Sequence, residues 1–389
     1  MTQKSYEERL AGLGWTAKEA DGRPRQMITE SVEELERWMG VGPIPPSDDA
    51  REVPSAETIR NDASMLRVYD AAMNHALGRR RITDADVIAA LDERASAYVI
   101  EAVAAPSITI TAANPLILNG SGGTWLYDTV TLEDGGYIEI SATGHFQCTN
   151  LVKKSSSVPG PEFDISVVGK NGITPAKPAK PAKPAKASNG QDAECDCCGG
   201  IVKNDGTPGA PGTGGTPGVN MTEVGNGGHG PTVILSLGQI TGSVSVLGRG
   251  GLGGNGGPGG DGGDGGDGGN GGKDIQCGAI KGDGGNGGPG GNGANGGNAG
   301  NGGNGGNGPN VTIEYDPASP GSLLPVNQEA PGGTAGVGGQ VGIGGSGGAS
   351  GGRGAVPGNP GNPGTQKGND GMPGNRGSRG LMTVNGAPV

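Results

Sequence analysis

The sequence predicts a multidomain α + β chain, with an N-terminal helical bundle, a β-sandwich-like domain, and glycine-rich extended helices inserted between strands. Three observations predict it. Apolar residues recur with a helical period over residues 1–105, the period changes to two after Pro106, and glycine then recurs in a three-residue register over much of the remaining chain. The 389 residues include 87 glycines and 29 prolines. At about 30% of the chain, this composition signals disorder when it has no period. Here a period is present. Aromatics make up 3% of the chain, so an apolar core is confined to part of it.

Residues 1–105 read as helical. Three N-terminal signatures stand out: Thr16 with Glu19, Ser31 with Glu34, and Thr83 with Asp86. Val32, Leu35, Trp38 and Met39 share one face before Gly40. Ile59, Ala63, Leu66, Met73 and Leu77 form a second stripe. Val87, Ile88, Leu91, Ala95, Tyr98 and Ala102 form a third, which ends at Pro106. The stripes can bury one another in a small bundle. That bundle is either inert or a docking and oligomerisation module. In the docking reading, Trp38, Tyr69 and Tyr98 supply the desolvated contact, and a second copy or other assembly proteins are the partners.

Residues 106–172 alternate with period two, with turns at "NGSGG" and "EDGG". Later strands at 231–248 and 309–315 complete the β-sandwich-like domain. Between them lie a Pro-Ala-Lys and Gly-x-y excursion with a Cys-rich tip (173–230), a Gly-Gly-X hairpin (249–308) and a Gly-x-y C-terminal module (316–389).

In "GGNGGPGGDGGDGGDGGNGG" (Gly253–Gly272) the third residue is Asn, Pro or Asp throughout. A polyproline-II helix has three residues per turn and rises ~3.1 Å per residue, so each such position recurs on one edge about every 9.3 Å. Gly-Gly-X leaves two edges bare. Neighbouring helices can then approach until backbone N–H groups reach carbonyls, while X faces water. A flexible linker does not need this register. Acids about 9 Å apart cannot share one calcium ion. The Gly-Gly-X runs resemble polyglycine-II sandwich domains, such as those of phage tail-fibre tip adhesins. The resemblance is compositional and covers the C-terminal half only. It implies a local fold of packed polyglycine-II helices, and a virion part whose inter-helix loops meet a cell-surface receptor.

The five cysteines are Cys148, Cys195, Cys197, Cys198 and Cys277. "AECDCCGG" and "DIQCGAI" sit where paired runs turn, so disulfides between tips are expected, with Cys277 joined to Cys195, Cys197, Cys198 or a second chain. Cys-x-Cys-Cys lacks the usual zinc spacing. No catalytic, cofactor or metal motif is present, and a histidine beside glycines reads as a surface residue. Net charge −11 argues against nucleic acid. No window reaches the ~18 apolar residues of a spanning helix. "MTQKSYEERLAGLGW" has no apolar signal region. The expectation is therefore a non-enzymatic structural or adhesion protein, extracellular or virion-borne and exported without a classical signal peptide. A self-assembling bacterial surface filament or matrix protein, or an ice-binding protein, is the alternative.

Overall fold

The structure is a computed structural model that describes residues 5–29, 31–39, 55–61, 71–73, 75–76, 82, 84–94, 98–120, 122–155, 160–196, 201–221 and 225–389. It corrects the expected helical bundle. The named helices are short: α1 (Tyr6–Gly12), α2 (Val32–Met39), α3 (Ala56–Asn61) and α4 (Ala85–Arg94). A strand, β1 (Arg25–Thr29), lies among them. The third stripe stops at Arg94, and β2 (Tyr98–Ile110) runs straight through the expected boundary at 105. In β2, Ile100, Ala102 and Ala104 are buried on one face, and Val103 and Ala105 on the other. A segment buried on both faces has no polar side to mark its period, so a helical stripe and a strand read alike.

Pro106 does not end this strand. Glu101 donates its N–H to Gly122, and Ala104 accepts from Gly22 on the opposite edge. Residue 106 shares the orientation of residue 104, and β1 pairs only as far as Ala102. The missing N–H therefore falls on an unpaired stretch of edge, where proline is tolerated.

The expected β-sandwich-like domain also takes a different form. From β2 the chain passes through β3 (Leu116–Leu118), β4 (Gly123–Leu132), β5 (Ile138–Ile140), β6 (Gly144–Lys153) and β7 (Ile165–Val168). After two small hairpin strands, β8 (Glu194–Asp196) and β9 (Ile201–Asn204), come β10 (Thr232–Ser236), β11 (Gln239–Thr241) and β12 (Ser243–Arg249). A second hairpin, β13 (Ile275–Cys277) and β14 (Ile280–Gly282), precedes β15 (Asn310–Glu314), β16 (Ser322–Gln328), β17 (Met382–Val384) and β18 (Ala387–Pro388). One sheet has the order β1-β2-β4-β6-β10-β15-β17-β18, with β11 also on β6; the other runs β16-β12-β7-β5-β3. From β2 to β17 every pair in the first sheet is parallel, and so is every pair in the second. The chain alternates between them, so it winds as a two-sheet parallel solenoid. The "NGSGG" and "EDGG" turns carry it from one sheet to the other rather than back along the same sheet.

Inward side chains stack in register from rung to rung. Val103, Trp125, Phe146, Leu235 and Ile313 form one column. Ile138, Ile165 and Val246 face them from the second sheet. The outer face of the first sheet is covered by the helices. Tyr6, Leu10 and Leu13 pack on Ala104 and Leu126. Val32, Leu35, Ile59, Val87 and Leu91 pack with Ile100 and Ile234. The described residues of the helical stripes are thus packed against the sheet, while Ala63, Leu66, Leu77 and Ala95 lie outside the described residues. Tyr69 lies outside the described residues, as do the side chains of Trp38 and Tyr98.

Candidate functional site

After β7, β12 and β16 the chain leaves the solenoid, runs out, turns and returns to begin the next rung. Six runs result: run 1 (169–193), run 2 (205–230), run 3 (250–274), run 4 (283–309), run 5 (329–351) and run 6 (355–380). Among the described residues, none contains helix or strand. Runs 1, 3 and 5 lie side by side in one layer, and runs 2, 4 and 6 in another. Within the first layer Gly253, Gly256, Gly259 and Gly262 of run 3 donate to Pro331, Thr334, Val337 and Gln340 of run 5. Across the layers Gly254, Gly260 and Gly263 donate to run 2, while Gly285, Gly288, Gly291 and Ala294 of run 4 donate to run 3. Each bond recurs every third residue.

The number of neighbours explains glycine usage. Run 3 touches runs 1, 2, 4 and 5, so two of its three edges are packed and it reads Gly-Gly-X. A Cβ on Gly262 would overlap the carbonyl oxygen of Ala294 and lie 2.7 Å from that of Asn295. Runs 1 and 6 sit at the ends of the stack with two neighbours each. They tolerate Pro-Ala-Lys and Gly-Asn-Pro. Side-chain acceptors step from Asn292 to Asn362 with an offset of 70, and from Asn298 to Asn369 with an offset of 71. One extra residue in run 6, where Asn295 accepts from both Thr365 and Gln366, absorbs this slip.

The X side chains do more than face water. Asn255, Asp261, Asp264, Asp267 and Asn270 each accept, through Oδ1, the N–H of an X residue on run 5. Asn286, Asn292, Asn298, Asn301, Asn304 and Asn307 do the same for run 6. That N–H has no glycine-row carbonyl to reach, so a short amide or carboxylate on the previous run satisfies it. The signal was in the sequence as the recurrence of Asn and Asp at X.

Run 1 is held differently. Prolines 175, 178, 181 and 184 occupy the row that donates elsewhere, so no backbone bond to run 3 falls between Gly172 and Ala187. A side-chain ladder spans the gap. Lys177 donates to Asp261 at 2.8 Å, Lys180 to Asp264 at 2.6 Å, Lys183 to Asp267 at 2.7 Å and Lys186 to Asn270 at 2.8 Å. The lysine hydrogen bonds, then the run 5 N–H groups, hold all three aspartates below their ordinary value of 3.8. Their charged form is the one favoured in the folded state. Their stabilisation is therefore present above the ordinary value and is lost as pH falls through the lowered ones. Amides near the ladder, such as Ala187, are expected to exchange with solvent faster at pH 2 than intrinsic rates explain, while the run 3 to run 4 bonds keep their protection. Equal protection factors at pH 2 and pH 6 would contradict this.

At the far end the turns meet. β13 abuts β8 and β14 abuts β9. Cys195 and Cys277 form a disulfide with Cα atoms 6.2 Å apart. Cys197 and Cys198 lie outside the described residues. Cys148 is not a disulfide partner. It is free and fully buried in the solenoid, its Sγ donates to the Leu237 carbonyl, and burial pushes its pKa up to about 12. Arg353, in the third turn, pairs with Asp283 at 3.1 Å, and its N–H donates to Asp274. Ile201 and Ile280, on the two tip hairpins, are 62% and 48% exposed. Sequence reasoning did not single them out. Mapping without reduction is expected to yield a Cys195–Cys277 peptide, with Cys148 alkylated only after denaturation. Reduction should cost about 2–4 kcal/mol, read as a lower melting temperature. Recovery of unlinked Cys195 would contradict the assignment.

Two of the histidines are not at the surface. His75 accepts the Ile82 N–H and meets Glu36, and His145 contacts Ser236 Oγ at 2.9 Å. His229 accepts the Asn307 N–H. Among the described residues, no helix is long and apolar enough to cross a membrane. No family model, curated protein or solved structure matches this chain.

Proposed function

We propose that the chain is a non-enzymatic adhesion component of an extracellular assembly, with a phage virion fibre or decoration protein as its setting. The observation that carries this reading is the convergence of three glycine-rich turns at one end of a stacked module, two of them joined by a disulfide. The tips present two exposed isoleucines amid polar residues, a surface suited to a desolvated contact with a partner. The solenoid sets the spacing of the hairpins.

Binding of fluorescently labelled protein to intact bacterial cells tests the reading. The Ile201→Ser/Ile280→Ser variant is expected to lose most cell binding while melting like the parent. Cell binding that is unchanged by these substitutions and by replacement of residues 275–282 would remove the tip from the interface. Filaments in electron micrographs of purified protein that binds no cells would favour a matrix role.

A further inference from the structure

The last pair of runs leaves an unpaired backbone edge, and we infer that this edge binds a single extended peptide carrying glycine at every third residue. Inside the stack, a Cβ on Gly253 or Gly256 would meet both a run 4 carbonyl oxygen and the amide nitrogen of the next run, Gly333 or Gly336. On run 5, a Cβ on Gly332 or Gly344 would meet a run 6 carbonyl, from Gly374 or Gly361. The hydrogen bonds show where the stack ends. The N–H groups of Gly332, Ala335, Val341, Gly344 and Gly347 occupy the row that donates to the next run elsewhere, and among the described residues none has a protein acceptor. Only Gly338 in that row is satisfied, by Asp370 Oδ1 at 2.7 Å. Facing them, the carbonyls of Gly358, Gly361, Gly368 and Gly374 accept nothing. Donors and acceptors thus alternate along one groove with the three-residue spacing of the stack. This is the counterpart of strand addition at an open sheet edge.

The chemistry of the edge selects its occupant. A chain lying there touches runs 5 and 6 alone, the two-neighbour situation of run 6, whose own sequence is Gly-Asn-Pro. Its glycine N–H would reach the run 6 carbonyls, its second residue would accept from run 5, and its third would face solvent. A second copy adding its whole stack is disfavoured. Its run 2 would meet exposed Pro357, Pro360, Pro363 and Pro373, which have no N–H to donate. Its lysine row would lie beside Thr334, Val337, Gln340 and Ile343, where no carboxylate replaces Asp261, Asp264 and Asp267.

The test uses the full chain and a synthetic peptide of seven Gly-Asn-Pro triplets. The control is a peptide of the same composition in which glycine does not recur every third residue. Amides of Gly332, Ala335, Val341, Gly344 and Gly347 are expected to exchange fast in the free protein and slowly with the repeat peptide alone. The Ala335→Pro/Val341→Pro variant removes two donors in an already extended backbone, and should bind about tenfold more weakly. Slow exchange in the free protein, equal protection by both peptides, or no protection at millimolar peptide would overturn the inference. So would protection that appears on raising protein concentration alone, which would assign the edge to a second copy.

Discussion

Gly262→Val is expected to lower the melting temperature strongly, while Pro258→Val on the same run is expected to leave it close to the parent's. Gly262 faces the run 4 backbone, where a side chain would overlap the Ala294 carbonyl oxygen. Neither partner can rotate away, because the obstructing atoms are main chain and are tied into bonds on both sides. The cost should lie near or above the upper end of ordinary overpacking, about 3 kcal/mol. Pro258 sits in the outward row, so Val there changes only local backbone freedom, about 1 kcal/mol or less. Calorimetry of both variants, with amide exchange at Gly291 and Ala294, checks the contrast. Equal melting of the two would mean that the rows are not packed as described.

The second large effect concerns the N-terminal region. Removing residues 1–97 is expected to make the chain insoluble. Ile100, Ala104, Leu126 and Ile234 on the outer face of the first sheet are fully or nearly fully buried under the helices. Without that cover they form an exposed apolar patch beside the bare edge of β2. A cut at residue 105 is worse, because it removes eight of the thirteen residues of β2. Soluble yield and size-exclusion profile measure this directly. A soluble, monomeric fragment with parental melting would show that the helices are a separate module after all.

The contrast between these two regions shows what the sequence makes legible. In the glycine runs the constraint is local and strict. Every third position meets the same neighbour, so the register is visible in the string, and the cysteines at the turns point to a link between tips without choosing among Cys195, Cys197 and Cys198. The solenoid is less legible. Ala102 pairs with Thr124, and Thr124 with His145, at separations of 22 and 21 residues that no hairpin signal announces. The same alternating strands suit antiparallel and parallel sheets. Around Ala102–Ala105 the difficulty is burial on both faces, which erases the polar side that separates the two periods. The role of Asn and Asp at X was hidden for another reason. Their partner is a main-chain N–H some 70–80 residues away, reached only once the runs lie side by side.

The origin of each hairpin in a solenoid rung has a consequence for how such a protein changes over generations. The rung fixes where both legs start, and the stack fixes only their phase. Adding one triplet to each leg at the turn preserves every existing bond and moves the tip outward by about 9 Å. Reach is therefore a heritable quantity that varies in equal steps, independently of the core. The extra residue beside Gln366 shows that even an out-of-phase insertion survives at the rim of the stack, where one leg has only two neighbours. In runs 3 and 4 the same insertion would put a side chain into main chain on both sides. Length is free to vary at the tip, phase only at the rim.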